Sequence, residues 1–310
     1  MSGQTAIAAA LAASRGRLPA SEARLLLGHL LNRPAVWLLT HDDVPLDAAT
    51  LTAFEKLTAR RAAGEPIAYL LGRREFFGRE FLVSPATLIP RPETELLVEV
   101  ALRAAQKVGA DRTASCAEIR HEQKDHAPPL RILDLGTGSG CVAITLALAL
   151  PAAEVVAVDA SREALALATE NARRLGARVR FAHSDWFAAL AGQCGERFDL
   201  IVGNPPYIAA GDAHLAQGDL RFEPTAALAS GADGLDALRA IVAAAPAYLT
   251  PHGQLWLEHG HDQAAAMVTL LQATGFGSIE QHRDLAGIVR VSGGVRTDAH
   301  ATAMMHQASR

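Results

Sequence analysis

From Thr5 to about Gly64 apolar residues recur at helical spacing, as in Leu25, Leu26, Leu27, Leu30 and Leu31, with breaks at Pro19, Pro34 and Pro45. That periodicity predicts a small helical bundle. The pattern then changes. Phe76, Phe77, Phe81 and Val83, interrupted by Gly78 and followed by Ser84-Pro85, suit a short hairpin. A helix should restart at Pro92, whose locked φ suits a first helical position, with Glu93 and Glu95 placed well for the helix dipole. Residues 107–129 are polar and read as a surface loop.

From Leu130 the chain alternates strand-like and helix-like segments. Strands are expected at Arg131–Leu135, Val155–Val158, Val179–His183 and Leu200–Val202, with helices from about Ser139 to Leu150 and from Ser161 to Leu175. Short β-branched runs separated by such helices predict an α/β domain with a parallel sheet built from right-handed crossovers. Further strands fit Gln254–Glu258, Ser278–His282 and Ile288–Val291, and the tail after Gly294 reads as polar and frayed.

Composition narrows the class. The 310 residues are half hydrophobic and one-fifth charged, as in ordinary globular proteins, and are long enough for two domains. A formal net charge of −4 offers no general attraction for a polyanion, so no direct nucleic-acid binding is expected. Cys116, Cys141 and Cys194 are widely spaced and contain no CxxC, which argues against a disulfide framework and against a zinc site; no metal is expected. The Ala-rich start lacks the basic, then apolar order of a signal peptide, and the apolar stretch from Cys141 to Val158 is broken by Pro151 and Glu154. A cytoplasmic protein without a membrane partner is the expectation.

Two loops carry the chemistry. Leu133-Asp134-Leu135-Gly136-Thr137-Gly138-Ser139-Gly140 lies where the first expected strand of the sheet ends and a helix begins, the crevice in which open α/β sheets bind ligands. Glycines at alternate positions let the backbone turn tightly and approach a ligand. A dinucleotide fingerprint would need glycine where Cys141 stands, so a nicotinamide cofactor drops behind S-adenosylmethionine. Asp159 ends the next strand, twenty-three residues after Gly136, where a carboxylate can accept both hydroxyl protons of a ribose. Asp159 could also cap the helix opening near Ser161. Asp185 could accept from an adenine amino group while Trp186 packs on the ring, although Trp186 could equally be core. Asp134 is read as positioning the loop or approaching the methionine amino group.

Asn204-Pro205-Pro206-Tyr207 follows the strand Phe198–Gly203 and so reaches the same carboxyl edge. Proline after Asn204 excludes helical geometry, and two prolines hold the segment extended. An amide nitrogen is a poor nucleophile because its lone pair is delocalised. Accepting its two N–H protons on the Asn204 side-chain oxygen and the Pro205 carbonyl aims that lone pair at the sulfonium methyl without a strong base. Tyr207 would wall the planar target. The bland reading, a mere Asn-Pro turn, is weakened by the coincidence of this loop with the glycine loop at one sheet edge.

At these residues the chain resembles the release-factor glutamine N5-methyltransferases, the PrmC/HemK family. The resemblance runs through Gly72-Arg-Arg-Glu-Phe76, Ser84-Pro-Ala-Thr-Leu-Ile-Pro-Arg-Pro-Glu-Thr-Glu95, Asp134 to Gly140, Asp185-Trp186-Phe187, Asn204 to Tyr207, Arg221-Phe-Glu-Pro224 and Glu258-His259-Gly260. It implies a helical substrate-recognition domain over residues 1–72, a β-hairpin linker over 73–91, a seven-stranded, mostly parallel Rossmann-like methyltransferase domain over 92–296 and a flexible tail over 297–310. It also implies methylation of the glutamine in the Gly-Gly-Gln loop of class I peptide chain release factors. Gly136, Thr137, Gly138, Ser139, Gly140, Asp159, Asp185, Trp186 and Asn204 would hold S-adenosylmethionine, and Asn204, Pro205, Pro206 and Tyr207 the glutamine. Arg73, Arg74 and Arg91 could meet an acidic partner surface or simply solvate the linker. Glu223 and Glu258 read as ties between loops and strands, and His259 as structural rather than a general base. Two alternatives stay open: an adenine N6-methyltransferase acting on DNA, which presents the same planar NH₂, and a non-catalytic nucleoside-binding module that docks on translation factors.

Overall fold

The computed structural model describes residues 5–119, 128–191 and 196–297. Its first part is helical: α1 (Ile7–Ala13), α2 (Ala20–Leu31), α3 (Ala48–Ala62) and α4 (Ile67–Leu71). Ile7, Leu26, Leu27, Leu38, Phe54 and Leu70 close its core. Asp47 caps α3 by accepting from the Thr50 amide at 2.6 Å, and α4 ends on Gly72 at φ 68°, a conformation that costs glycine nothing.

The antiparallel hairpin of β1 (Arg73–Phe76) and β2 (Arg79–Leu82) follows. It is no loose tether. Phe76 and Phe81 are buried against Leu97, Val100 and Ile132 of the larger domain, and burial of one such side chain stabilises by about 1.5–3 kcal/mol. A three-residue turn, Pro92–Thr94, opens α5 (Glu95–Ile119). This helix overturns the expectation of a loop from residue 107, because it runs on to Ile119; residues 120–127 of that segment lie outside the described residues. Ala104, Ala105 and Val108 keep the buried stripe going past the point where polar residues dominate the local sequence.

Next come β3 (Arg131–Leu135), α6 (Cys141–Ala149), β4 (Glu154–Asp159), α7 (Arg162–Leu175), β5 (Val179–His183), β6 (Phe198–Gly203), α8 (Asp236–Tyr248), β7 (Leu249–Glu258), α9 (Ala264–Ala273), β8 (Phe276–Arg283) and β9 (Val289–Arg296). The seven-stranded sheet has the order β5-β4-β3-β6-β7-β9-β8. Pairs from β5 to β7 are parallel, and β9 pairs antiparallel with β7 and β8. The expected frayed tail after Gly294 is corrected at its start: residues to Arg296 pair in β9, and those from 298 lie outside the described residues.

Alternation along the strands serves two cores, because helices cover both faces. Ile132, Leu200, Val202 and Trp256 face the cluster with α5 and α6, whereas Leu133, Leu135, Ile201, Leu255 and Leu257 face the one with α8 and α9. The register sets Leu135 beside Gly203 and Gly203 beside Leu257, so β3, β6 and β7 end level with one another.

Asn171 on α7 ties this domain to the hairpin. Fully buried, it accepts from Leu82 N at 2.8 Å and donates to the carbonyls of Leu82 at 3.0 Å and Ser139 at 2.9 Å. Asn171→Leu keeps the volume but strands these backbone groups, so it is expected to destabilise the protein by ~2–4 kcal/mol. Chemical denaturation of both proteins measures the difference, and a loss under about 0.5 kcal/mol would show that water satisfies those groups instead.

Candidate functional site

A cavity of about 510 Å³ opens at the carboxyl edge of β3, β4 and β6, within the range of small-molecule sites. Its first wall is the loop from Gly136 to Ser139, whereas Gly140 does not line it and packs instead on Ile144 and Ala168. Gly136, Gly138 and Gly140 have φ of 69°, 56° and 83°, left-handed values that disfavour any side chain. Gly140 could not carry a Cβ without coming within 2.8 Å of Ile144 Cδ1, so the helix start at Cys141 packs directly under the loop. The Gly136 and Thr137 amides donate to the Val158 carbonyl at 2.9 and 3.0 Å, which joins the loop to the end of β4.

Asp159 is at that end. One carboxylate oxygen accepts from Gly138 N and the other from Ser161 N, both at 2.8 Å. The helix cap itself is Ser161, whose hydroxyl accepts from Ala164 N at 3.1 Å. Asp159 therefore shapes the loop and still lines the cavity with lone pairs to offer. Asp185 is exposed on the cavity wall, and Trp186, at φ 44°, sits with Cζ3 3.4 Å from where a Gly136 Cβ would stand. The indole thus occupies the space that glycine leaves open.

Asp134 is 1% exposed, accepts from the Thr137 hydroxyl at 2.6 Å and lines the cavity floor. Burial, the dominant cause, pushes its pKa up to about 7. Glu258, at the end of β7 and also 1% exposed, is raised to about 7 by burial as well. A folded-state pKa above the unfolded one means that the native protein holds protons which the unfolded chain has already released. Stability is then fully present below the unfolded carboxylate pKa of about 4 and is lost as pH rises towards about 7. Thermal unfolding of the cofactor-free protein should show this decline, and Asp134→Asn should remove part of it, on the order of a few kcal/mol. An Asp134→Asn curve parallel to the wild type would refute it.

The opposite wall holds Asn204 and Pro206, joined by Thr94, Arg91, Pro85 and Pro224. Asn204 donates from Nδ2 to the Thr94 hydroxyl at 3.1 Å, and neither its side-chain oxygen nor the Pro205 carbonyl has a hydrogen-bond donor among the described residues. Pro205 and Tyr207 do not line the cavity. The Tyr207 hydroxyl points to Glu258 Oε1 at 3.4 Å, and burial raises its pKa. Gln263 Nε2 donates to the Tyr207 carbonyl at 3.0 Å and the Ile208 amide to the Leu228 carbonyl at 2.9 Å, which fixes the turn from behind.

The glycine loop, Asp159, Asp185, Trp186, Asn204 and Pro206 therefore share one cavity, as their positions at strand ends predict. Local pattern reading missed Thr94, Arg91 and the Pro85–Leu88 segment as wall residues, since they reach the cavity only because the hairpin packs on the sheet. Glu223 is the tie expected of it: its carboxylate accepts from Ile89 N at 3.0 Å and pairs with Arg91, which joins the linker to the loop beyond Tyr207. Arg73 pairs with Glu80 at 3.1 Å. His259 is fully buried and bonded to the Gly260 carbonyl and the Ser292 hydroxyl, both at 2.8 Å. A carbonyl only accepts, so Nδ1 carries the proton; burial lowers the pKa, and the ring is structural. Among the described residues no group of histidines, cysteines and carboxylates could hold a metal, and no helix is long and apolar enough to cross a membrane.

Comparison with known proteins places these features. Residues 4–72 match the PrmC N-terminal domain family and residues 119–223 the Methyltransferase small domain family. The hMettl16 catalytic domain, solved with a MAT2A 3'UTR hairpin, is similar in fold with a TM-score of 0.52 at 15% identity, over 78% of this chain and 83% of that one. The release factor glutamine methyltransferase of Bordetella pertussis is 53% identical over 89% of this chain and 95% of its own length. That of Burkholderia pseudomallei is 52% identical, covering 89% and 92%, and that of Xylella fastidiosa 49%, covering 92% and 96%. With identity of this order along nearly the whole length, the chain belongs to the release factor glutamine methyltransferase family.

Proposed function

We propose that the protein transfers a methyl group from S-adenosylmethionine to the side-chain amide nitrogen, N5, of the glutamine in the Gly-Gly-Gln loop of class I peptide chain release factors, and that it does so in the cytoplasm. The observation that carries this reading is the single cavity in which the glycine loop faces Asn204. The domain division stated from the sequence belongs to the same proposal, with residues 1–72 recognising the release factor.

The residues present fit the cofactor. Asp159 and Asp185 offer acceptors to a ribose and an amino group, Trp186 an aromatic face, and Gly136 and Gly138 two backbone positions with no side chain in the way. Asp134 lies where a cationic amino group would be met. When bound, S-adenosylmethionine supplies an electrophilic methyl carbon on sulfur. The protein's own contribution is orientation: the Asn204 oxygen and the Pro205 carbonyl accept the two amide N–H protons, and the paired prolines keep both acceptors from turning away. The proton released after transfer passes to water, so no buried base is required.

Incubation with tritiated S-adenosylmethionine, class I release factor and, separately, duplex DNA tests the proposal. Label on release factor, with a mass gain of one CH₂ on the peptide containing the glutamine, is expected. Label on DNA alone would establish the adenine methyltransferase instead, and cofactor binding without any transfer would establish a binding module.

A further inference from the structure

The Pro205 carbonyl can accept a substrate N–H only if its peptide plane is held in place, and the two prolines have no N–H of their own with which to be held. Their rings fix φ at 205 and 206 but not ψ, so the direction of the Pro205 carbonyl depends on where the chain is fastened on either side. Upstream, Gly203 pairs with Leu135 and Leu257 inside the sheet. Downstream of the prolines, the first backbone group with a hydrogen-bond partner among the described residues is the Tyr207 carbonyl, which accepts from Gln263 Nε2 at 3.0 Å. The next is the Ile208 amide, bonded to the Leu228 carbonyl at 2.9 Å.

Gln263 sits at the start of α9, 7% exposed, and does not line the cavity. Its amide is committed at both ends. Oε1 accepts from the Gly260 amide at 2.9 Å, and Nε2 lies 3.0 Å from the Tyr207 carbonyl and 3.3 Å from that of Gly234. A backbone N–H only donates and a carbonyl only accepts, so one orientation of the side chain makes all three contacts. Gly234, at φ 76°, comes so near that a Cβ there would stand 2.3 Å from the Tyr207 oxygen, and this carbonyl is therefore enclosed from two sides. Resting on the proposed glutamine methylation, we infer that Gln263 is a positioning residue: by holding the Tyr207 carbonyl it sets the direction of the Pro205 carbonyl, two residues earlier, and so aims the substrate amide without touching it. The turn is thereby tied to α9, a helix that contributes nothing to the cavity wall, through the loops after β6 and β7 and the one before α8.

The test uses the full-length protein with release factor and S-adenosylmethionine, and calorimetry counts the cofactor bound per chain, so that lost rate is told from lost folded protein. Gln263→Met keeps the length of the side chain and removes both hydrogen-bonding groups. It is expected to lower kcat by about tenfold to a hundredfold, the cost of a small misplacement at a reacting centre, with cofactor Kd within about threefold of wild type and cofactor stoichiometry unchanged. Gln263→Glu keeps an acceptor for the Gly260 amide but, once ionised, has no proton for Tyr207; assayed on the alkaline side of neutrality it should fall as far as Gln263→Met. Wild-type kcat in Gln263→Met would overturn the inference. So would a loss of rate matched by an equal loss of cofactor stoichiometry, the signature of a purely structural role, and so would wild-type kcat in Gln263→Glu, which would leave the tie to Gly260 as the contact that matters. Should Gln263→Glu fail to fold, Gln263→Met decides. All of these results leave glutamine methylation by the wild type in place, whereas a wild-type protein inactive on release factor would overturn the functional reading, and the role of Gln263 with it.

Discussion

Asn204→Ala is expected to lower turnover on release factor by ~10²–10³-fold, the cost of removing one preorganised hydrogen-bonding group from a reacting centre. The side chain is half-buried and its one hydrogen bond among the described residues is to Thr94, so its loss should leave the melting temperature close to that of the wild type. Cofactor affinity should fall much less than turnover, because the glycine loop and Asp159 stand on the other wall. Single-turnover kinetics with saturating cofactor separates the two effects. Turnover within about threefold of the wild type would remove the acceptor role from Asn204 and leave the turn as mere backbone geometry.

The second large effect belongs to Asp159→Ala, for which S-adenosylmethionine affinity is expected to fall by ~10²–10³-fold. The reason is twofold. The carboxylate accepts from Gly138 N and Ser161 N at 2.8 Å, so its removal frees the loop that shapes the cavity. It also removes the acceptors offered to the ribose, and each hydrogen bond to a charged group contributes about 1.5–3 kcal/mol, so losing two accounts for a change of that order. Calorimetric titration measures it directly. Asp159→Asn, which keeps one acceptor but sets an NH₂ group against a backbone N–H, should fall between. An unchanged affinity in Asp159→Ala would show that Asp159 serves the helix start alone.

Much of the catalytic domain was legible in the chain. The runs at Arg131–Leu135, Val179–His183 and Phe198–Gly203 coincide with strands because each is short, apolar and bounded by residues that cannot continue it. Gly136, Gly138 and Gly140 were readable as a tight loop at a strand end because glycines alternate there, and all three take left-handed φ. Elsewhere the local pattern misled or fell silent. The polar stretch from residue 107 read as loop, yet α5 reaches Ile119, since the helix propagates from a stripe buried against α6 and β6. Helices α8 and α9 went unassigned: α8 carries Pro246 in its last turn, and α9 opens on a run of alanines that gives little amphipathic contrast. The antiparallel placement of β9 between β7 and β8 leaves no mark on any strand taken alone.

The sequence by itself determined the βα alternation, the glycine loop and the Asn-Pro-Pro-Tyr turn, because backbone stereochemistry and periodic burial are properties of neighbouring residues. Only the tertiary structure decided that Thr94, 110 positions from Asn204, holds its amide; that Asn171, 89 positions from Leu82, pins the hairpin; and that Tyr207 turns to Glu258 rather than to the cavity. Those contacts join segments brought together by sheet order and hairpin packing. A buried hydrogen bond between distant residues is specified by the whole core that excludes water from it, and no window of sequence contains that core.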